Sequence, residues 1–192
     1  GLKTLIFIIS ILYYQREFMS IKNVFESVLD QSELEEILAQ LTKEKGNVET
    51  SHYYNGSVGF YNLPVTNKHL DKIEKLVKSV VGDNIKFENS FTRIYKKDSK
   101  LGFHIDRPGL DVTVSLCLKR DVAWPLIVSN KQADENYSEK NQEPYLADAS
   151  SYDILPGSIV IAEGRKFPHW REQFSSEEEQ TNVYVFYHWN RV

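Results

Sequence analysis

Apolar residues in the first part of the chain recur at helical spacing. Over residues 20–45 they lie three and four positions apart, in two runs separated by a polar break. We therefore predict two helical segments, the second opened by a capping box of Ser32 and Glu35 and ended at Gly46. Residues 67–81 carry another set of apolar residues at helical spacing, with Lys and Glu on the opposite face. This pattern predicts an amphipathic helix.

After residue 82 the spacing of the apolar positions changes to two, which is the period of a half-buried strand. Helices followed by many short strands favour an α+β chain whose β part is a sandwich or a double-sheet barrel such as a jelly roll. The predicted strands are 85–95, 103–106, 111–118, 124–129, the pair within 152–164 and 181–189.

Two stretches show no regular spacing of apolar residues. Residues 47–66 are polar and aromatic, and Tyr53, Tyr54, Phe60 and Tyr61 fit a hairpin that turns at Asn55-Gly56. The stretch from 130 to 150 is polar throughout, which is typical of an insertion or a mobile loop. Because binding residues often lie on loops held by a rigid scaffold, we expect both stretches to frame the mouth of a site.

The N-terminus begins with the apolar run GLKTLIFIISILYY, which is too short to span a bilayer as a helix. It resembles a signal-peptide core, but no small-residue cleavage site follows it. Since Met19 is the only methionine, we interpret residues 1–18 as an extension or a loosely docked helix, with no stable membrane insertion. The predicted domain is then 19–192, with helical support over 19–82 and a β core over 83–192.

Composition narrows the possible chemistry. Cys117 is the single cysteine, which precludes an intramolecular disulfide and fits a reducing compartment, so we expect a cytoplasmic protein. A metal site must then use His, Asp or Glu. With 23 Lys and Arg against 27 Asp and Glu, the net charge of −4 argues against a nucleic-acid partner.

His104 and Asp106 lie two positions apart on one short predicted strand. Side chains with this spacing share a face of the strand, so the two converge either on a metal ion or as a polar pair. His169 follows the strand that begins after the Pro156-Gly157 turn, and it offers a third ligand. Two histidines and one carboxylate would form the facial triad of non-haem iron(II) oxygenases.

The other three histidines have weaker contexts. His52 lies in an irregular segment, and His69 falls on the polar side of a predicted helix, where we expect it to be solvated. His188 lies near the end of the last strand, which favours a packed sheet residue over a ligand.

The order of these motifs resembles the 2-oxoglutarate- and Fe(II)-dependent oxygenase superfamily, in its prolyl-hydroxylase-like HxD...H form. The resemblance rests on SFTRIYKKDSKLGFHID, on the later LPGSIVIAEG strand and on PHW, and it covers residues 85–189. It implies a double-stranded β-helix, or jelly roll, with Fe(II) held by His104, Asp106 and His169. It also implies that 2-oxoglutarate and O2 are consumed, an unidentified substrate is hydroxylated, and succinate and CO2 are released.

Asp106 helps to distinguish hydroxylation from halogenation, because halogenating members of the superfamily carry a small residue in place of this carboxylate. The carboxylate therefore favours hydroxylation. The alternative is a non-catalytic cupin-like jelly roll that binds a metal or another ligand. A nucleic-acid demethylase is a weaker possibility, since the paired arginines of that branch are absent and the last strand carries only Arg191.

The far carboxylate of 2-oxoglutarate needs a cation, which the family usually supplies from the last strand. The position of that usual basic residue falls near Gln180 in this sequence, in a stretch with no Lys or Arg. At this point the sequence departs from the family. Lys119 is our first alternative, as in the asparaginyl-hydroxylase and JmjC branch, although it could equally be a strand-end lysine in solvent. Arg93 and Arg171 are the other candidate cations. By resemblance Tyr95, which shares a strand face with Arg93, would hydrogen-bond the co-substrate, and Gln180 could bond a carboxylate without neutralising it.

The resemblance does not identify the substrate, and a small molecule or a peptide fits equally. Arg107, beside the triad at the rim, is a candidate contact. Trp124 and Trp170 are candidates for the wall of the substrate mouth, although an aromatic residue in a sheet is more often part of a core.

Overall fold

The computed structural model describes residues 21–48, 56–175, 177 and 179–192. The helices among these residues are α1 (Gln31–Leu41), α2 (Pro64–Asn67), α3 (Leu70–Val81) and α4 (Glu143–Leu146). The strands are β1 (Ile21–Phe25), β2 (Asn47–Val48), β3 (Val58–Tyr61), β4 (Ile85–Tyr95), β5 (Leu101–His104), β6 (Val112–Arg120), β7 (Leu126–Ser129), β8 (Ala149–Tyr152), β9 (Ile159–Ala162), β10 (His169–Arg171) and β11 (Asn182–Arg191).

The strands form two antiparallel sheets. The larger has the order β1-β9-β6-β11-β4-β3-β2, and the smaller has the order β5-β10-β7-β8. From β4 onwards the chain passes from one sheet to the other after each strand, except between β7 and β8, which are neighbours in the small sheet. This winding confirms the predicted jelly roll.

Strand β6 shows how the alternation of its side chains separates two cores. Val114 and Leu116 are fully buried among the helices that cover the outer face of the large sheet. Thr113, Ser115 and Cys117 point the other way, into the space between the two sheets. The period of two in the sequence therefore predicts both faces of this strand correctly.

The first predicted helical run, residues 21–29, is instead strand β1 followed by an irregular segment. It pairs antiparallel with β9 and completes one edge of the large sheet. Its apolar residues serve different cores, because Ile21 lies between the sheets whereas Val28 and Leu29 pack under the helices. The left-handed backbone of Ser27 (φ 53°) redirects the chain between them, which produces helix-like spacing without a helix.

Helix α1 confirms the second predicted run, but its cap lies two residues earlier than predicted. The Asp30 carboxylate accepts a hydrogen bond from the Glu33 backbone N–H (2.9 Å), and the Glu33 carboxylate accepts one from the Asp30 N–H (2.8 Å). Ser32 lies inside the helix and donates to the Asp30 side chain. The carboxylate competes successfully with the Ser32 hydroxyl for the first free N–H groups of the helix.

Helix α1 ends at Leu41 and not at Gly46. Gly46 is instead a point of close approach, because a Cβ there would lie 2.4 Å from the side chain of Val58. Strands β2 and β3 form an antiparallel pair, but it is Val48 that faces Val58, so the register differs from a hairpin turning at Asn55-Gly56. The predicted turn with Tyr53, Tyr54 and Asn55 lies outside the described residues.

The predicted helix over 67–81 corresponds to α3, which is preceded by the single turn α2. His69, at the start of α3, was predicted to be solvated, but only 5% of it is exposed and its Nδ1 lies 3.5 Å from Glu33. Burial lowers the pKa of His69, although Glu33 opposes this. The prediction was wrong because helix α1 covers this face.

The stretch from 130 to 150 packs on the outer face of the small sheet and contains helix α4. Tyr145 is 1% exposed and, together with Tyr137, contacts Phe103 and Trp170. Its few apolar side chains hold it against the small sheet, so the prediction of a mobile loop was wrong.

The predicted N-terminal extension, residues 1–18, lies outside the described residues, as does His52. Within the part of the chain that the structure describes, no helix combines the length and the apolar character needed to cross a membrane.

Candidate metal centre

Three side chains converge at one end of the space between the sheets. His104 ends β5, His169 begins β10, and the two residues are direct cross-strand partners. Asp106 follows β5, and its Oδ1 lies 3.7 Å from the Nε2 of each imidazole. One ligand atom from each residue lies within 4.8 Å of the others, and all three residues are at most 9% exposed.

Backbone carbonyl groups orient both imidazoles. The Nδ1 of His104 lies 2.7 Å from the Gly102 oxygen, and that of His169 lies 3.1 Å from the Phe167 oxygen. Because a carbonyl oxygen only accepts hydrogen bonds, each Nδ1 carries the proton. The Nε2 lone pairs therefore face the shared point, as in metal-bound histidines held by an outer hydrogen bond.

Two neighbours confine the Asp106 carboxylate. The Thr113 hydroxyl on β6 donates to its Oδ2 (2.6 Å), which leaves Oδ1 turned towards the histidines. The backbone N–H of Asp106 donates to the Gly164 oxygen (2.9 Å). A Cβ at Gly164 would lie 2.0 Å from the same Oδ2, so a larger residue at this position would displace the carboxylate.

The electrostatics favour the protonation states that bind a metal. Burial, reinforced by His169, lowers the pKa of His104 to about 4. Burial would raise the pKa of Asp106, but His169, His188 and His104 outweigh it and hold this pKa below its ordinary value. At neutral pH the site holds a neutral His104 and an ionised Asp106. Two imidazoles and one carboxylate fit iron(II) or another divalent transition metal.

A cavity of about 230 Å³ opens beside the three ligands. Its inner wall is formed by Leu101, Leu126, Val128 and Ala162, which belong to the apolar core between the sheets. Other lining residues are Tyr61, Asn89, Phe91, Arg93, Arg107, Leu110, Ser115, Phe186 and His188.

His188, which the sequence predicted to be a packed sheet residue, is buried in the sheet and also lines the cavity. It is buried in β11, and its Nδ1 lies 2.8 Å from the Asn89 Oδ1 on β4. Its cross-strand neighbour on β6 is Thr113, the residue that holds Asp106. Alternation along β11 places His188 on the same face as Phe186, and this pattern could have indicated a role in the cavity.

Two of the predicted cations reach the cavity. Arg93 is 6% exposed, its guanidinium lies 4.2 Å from the centre of the Phe91 ring, and its Nη1 donates weakly to Ser57 (3.5 Å). Arg107 lies at the rim with 59% of its side chain exposed, 3.9 Å from Glu88.

Lys119 and Gln180 lie elsewhere. The Lys119 ammonium contacts Asp121 (2.6 Å) and Thr181 (3.0 Å), and 40% of its side chain is exposed. The Gln180 side chain accepts a hydrogen bond from the Glu177 backbone within a turn. The first choice of co-substrate anchor is therefore not supported, because the inward face of β6 ends at Cys117 and Lys119 reaches solvent.

Arg171 and Tyr95 lie between the sheets, in the core that adjoins the inner wall. Arg171 is 2% exposed, and its guanidinium lies 4.2 Å from the Tyr184 ring centre and 5.0 Å from that of Trp124. One of its nitrogens donates to the Trp124 carbonyl, whereas Nε and Nη2 have no hydrogen-bond partner among the described residues. Tyr95 is fully buried, with its ring 4.6 Å from Trp124.

The two tryptophans do not wall the mouth, contrary to the prediction. Neither Trp124 nor Trp170 is among the described residues that line the cavity. Trp124 lies in the core between the sheets, where its Nε1–H donates to the Glu172 carbonyl (2.7 Å). Trp170 points to the outer face of the small sheet and packs on Phe103. Alternation along β10 requires this, because His169 and Arg171 occupy the inward positions.

No protein-family model matches the sequence, and no curated protein matches it. Several solved structures resemble it. HygX from Streptomyces hygroscopicus, with nickel, 2-oxoglutarate and hygromycin B bound, has a TM-score of 0.73 at 12% identity, and the match covers 94% of this chain and 86% of that one. A prolyl-4-hydroxylase from Pseudomonas putida has a TM-score of 0.65 at 12% identity, covering 88% and 92%.

A third similar structure is SnoK, a non-haem alpha-ketoglutarate-dependent carbocyclase from nogalamycin biosynthesis. Its TM-score is 0.73 at 12% identity, and the match covers 91% of this chain and 81% of that one. At such identities the likeness shows a shared fold, which is the jelly roll described above.

Proposed function

We propose that this protein is an Fe(II)- and 2-oxoglutarate-dependent dioxygenase that hydroxylates an organic substrate and releases succinate and CO2. The observation that carries the proposal is the convergence of His104, Asp106 and His169, with both Nε2 atoms and one carboxylate oxygen aimed at one point beside a cavity. The shared fold supports it, since HygX is a jelly roll solved with a metal and 2-oxoglutarate bound.

The three ligands would hold the iron, and bound iron(II) would supply the activation of dioxygen. The protein keeps the ligands ready by fixing both Nδ1 protons on backbone carbonyls and one Asp106 oxygen on Thr113. Because Asp106 takes the position where a halide would bind, the proposed outcome is hydroxylation.

We assign the far carboxylate of 2-oxoglutarate to Arg171. A buried guanidinium with two unsatisfied nitrogens costs several kcal/mol unless an anion approaches it, and these nitrogens have no partner among the described residues. Arg171 is the cross-strand partner of Leu101, which lines the inner wall. Tyr95 lies beside the same Trp124 ring and would add its hydroxyl. Arg93, on the cavity wall, is the alternative anchor.

The substrate and the compartment are coarser inferences. We propose a small-molecule substrate. The HygX structure holds the small molecule hygromycin B, and the cavity of about 230 Å³ in this protein accommodates only a small ligand or one side chain of a peptide. The single cysteine, buried and unpaired, is compatible with the cytoplasm.

The metal ligands can be tested by substitution. The purified protein with Fe(II) should convert 2-oxoglutarate to succinate, followed by NMR, and His104→Ala and Asp106→Ala should abolish this conversion. Ni(II) binding by calorimetry gives a readout that does not depend on turnover. Metal binding without any succinate, across a broad substrate panel, would favour the non-catalytic alternative.

The anchor can be tested separately with matched arginine variants. In the Ni(II)-loaded protein, Arg171→Gln should weaken 2-oxoglutarate binding by roughly 30-fold or more, the effect of losing one partner of a buried charge pair. Arg120→Gln is the control, since Arg120 pairs with Asp153 at the strand end. Unchanged affinity in Arg171→Gln, with loss in Arg93→Gln, would transfer the role to Arg93.

A further inference from the structure

A row of inward-facing residues crosses the large sheet beside the metal centre. His188 on β11 is the direct cross-strand partner of Thr113 on β6 and of Asn89 on β4. Thr113 holds Asp106 through a 2.6 Å hydrogen bond, and neighbouring strands of a sheet lie about 4.8 Å apart. The row therefore runs outward from a metal ligand along one wall of the cavity, which all four residues line.

The hydrogen bond within this row determines what each side chain offers to the cavity. The Nδ1 of His188 lies 2.8 Å from the Asn89 Oδ1. Because an amide oxygen only accepts, the imidazole donates from Nδ1, and its Nε2 carries the lone pair. The Asn89 Nδ2 keeps both of its hydrogens and is a donor.

These two remaining atoms are open to the cavity. Neither the His188 Nε2 nor the Asn89 Nδ2 has a hydrogen-bond partner among the described residues, and neither atom is enclosed by them. His188 is not a further metal ligand, because the group of described residues that can hold one ion consists of His104, Asp106 and His169. The pair thus presents one acceptor and one donor to a ligand in the cavity.

The pair carries no charge of its own. Burial lowers the pKa of His188, although Asp106 opposes this, so the imidazole is neutral at neutral pH. A carboxylate has no proton to donate to the His188 Nε2, and an ammonium group cannot accept from the Asn89 Nδ2. A hydroxyl group supplies both complements, because its hydrogen donates and its oxygen accepts.

An aromatic row adjoins the pair. Phe91 and Phe186 are direct cross-strand partners, two positions along β4 and β11 from Asn89 and His188, and they line the same cavity. Tyr61 extends the row, since its ring meets the edge of Phe91 at 5.9 Å between centres. Aromatic faces of this kind pack against the ring or apolar skeleton of a ligand.

We propose that the substrate is a ring-bearing alcohol whose hydroxyl donates to the His188 Nε2 and accepts from the Asn89 Nδ2, while its ring lies against Phe91 and Phe186. This inference rests on the proposed function, because it takes the ligand of this pair to be the substrate of the metal centre. His188 and Asn89 are then the residues that select the substrate, and Arg171 remains for 2-oxoglutarate.

Two isomers that differ in hydrogen bonding test the proposal: benzyl alcohol, which donates and accepts, and anisole, which only accepts. Each is titrated by NMR into the wild type and into His188→Phe, which keeps an aromatic ring but loses the acceptor. The ratio of the anisole to the benzyl alcohol dissociation constant is compared between the two proteins, so that the hydration of the free probes cancels. This ratio should fall by roughly threefold to tenfold in His188→Phe, the effect of losing one hydrogen bond.

Two control variants locate the effect. His69→Phe makes the same change outside the cavity, and Ser115→Ala removes the hydroxyl of another residue that lines it. Both should retain the wild-type ratio. Absence of benzyl alcohol binding, an unchanged ratio in His188→Phe, or an equal fall in Ser115→Ala would overturn the inference.

The metal-free wild type gives a second measurement that does not depend on the folding of a variant. The ¹⁵N resonances of a histidine distinguish its two neutral tautomers. His188 should carry its proton on Nδ1 at neutral pH, and benzyl alcohol should shift the Nε2 resonance more than anisole does. A proton on Nε2, or an equal response to both probes, would contradict the proposed contact.

The proposed function and this inference fail in different ways. The titrations are made in the metal-free protein and again after saturation with Zn(II) and 2-oxoglutarate. Failure to bind Zn(II) and 2-oxoglutarate counts against the proposed function, while the metal-free titration still decides whether the hydroxyl site exists. Loss of benzyl alcohol binding once 2-oxoglutarate is bound would assign the pair to the co-substrate and overturn its assignment to the substrate.

Discussion

Single residues around Asp106 decide whether its carboxylate can act as a ligand. Thr113 takes one oxygen by a 2.6 Å hydrogen bond, and Gly164 leaves just enough room for that oxygen. Neither residue would touch the metal, yet both fix the remaining oxygen 3.7 Å from each histidine nitrogen. Outer contacts of this kind commonly alter metal affinity by 10–100-fold.

Gly164→Ala should therefore weaken Ni(II) binding by about tenfold or more, because the new Cβ would lie 2.0 Å from Asp106 Oδ2 and would displace it. Calorimetry measures the affinity and thermal unfolding measures the stability. Gly82→Ala is the matched control, since its Cβ would meet nothing within 4 Å although the positive φ of 87° strains it. If both variants lose stability alone and neither loses metal affinity, the role assigned to Gly164 is wrong.

At the scale of elements, the start of helix α1 shows how two adjacent capping signals compete. Asp30 and Glu33 form the reciprocal hydrogen bonds, whereas Ser32 with Glu35, the pair that the sequence indicated, lies one half-turn inside the helix. Helix α1 in turn buries Leu34 and Ile37 against the large sheet and covers His69. The cap thus helps to hold the layer that supports the sheet.

We expect Asp30→Ala to lower the free energy of unfolding by about 1 kcal/mol, the usual effect of losing an N-cap side chain. Ser32→Ala removes only a hydroxyl that donates to Asp30, so its effect should be smaller. Urea unfolding of the two variants beside the wild type gives the comparison. A larger loss of unfolding free energy in Ser32→Ala than in Asp30→Ala would instead identify Ser32 as the N-cap, as the sequence predicted.

At the scale of the whole molecule, the jelly roll collects buried titratable groups in one place. His104, Asp106, His169 and His188 lie between the two sheets, beside a core of mainly apolar side chains. Folding therefore removes these groups from water, and it does so in forms that suit a cation. The stability of the metal-free protein must then depend on pH.

The direction in which stability changes with pH follows from the lowered pKa of His104. In the unfolded chain the imidazole titrates near its ordinary value of 6.5, and in the folded chain near about 4. Between these values the unfolded state binds more protons, so stability is complete above about pH 6.5 and falls as the pH drops towards 4. The lowered pKa values of His188 and His69 act in the same direction.

Urea unfolding of the metal-free protein at pH 7.5 and pH 5 should show this loss, and His104→Gln should make the difference between the two pH values smaller. An equal difference in wild type and variant would show that His104 is not the group responsible. A stability that rises on acidification would contradict the burial of all three histidines.

The sequence by itself determined the local pattern: strands of period two, the inward face of β6, and a histidine and aspartate pair with a distant histidine. These features depend on neighbours within a few residues, and they sufficed to predict the jelly roll and to propose the metal ligands. Only the tertiary structure decided which of the candidate cations lie between the sheets. Lys119 and Arg171 both lie on plausible inward faces, yet one reaches solvent and the other is buried beside Tyr184.

The physical reason is register between strands that are far apart in the chain. A break in the pairing of β11 with β6 shifts the end of β6, and cross-strand pairing sets His104 opposite His169 and His188 opposite Thr113. Alternation tells which face a side chain takes, but not which residues meet it across the barrel. Those partners come from hydrogen bonding between distant strands, and they turned a two-residue motif into a buried site.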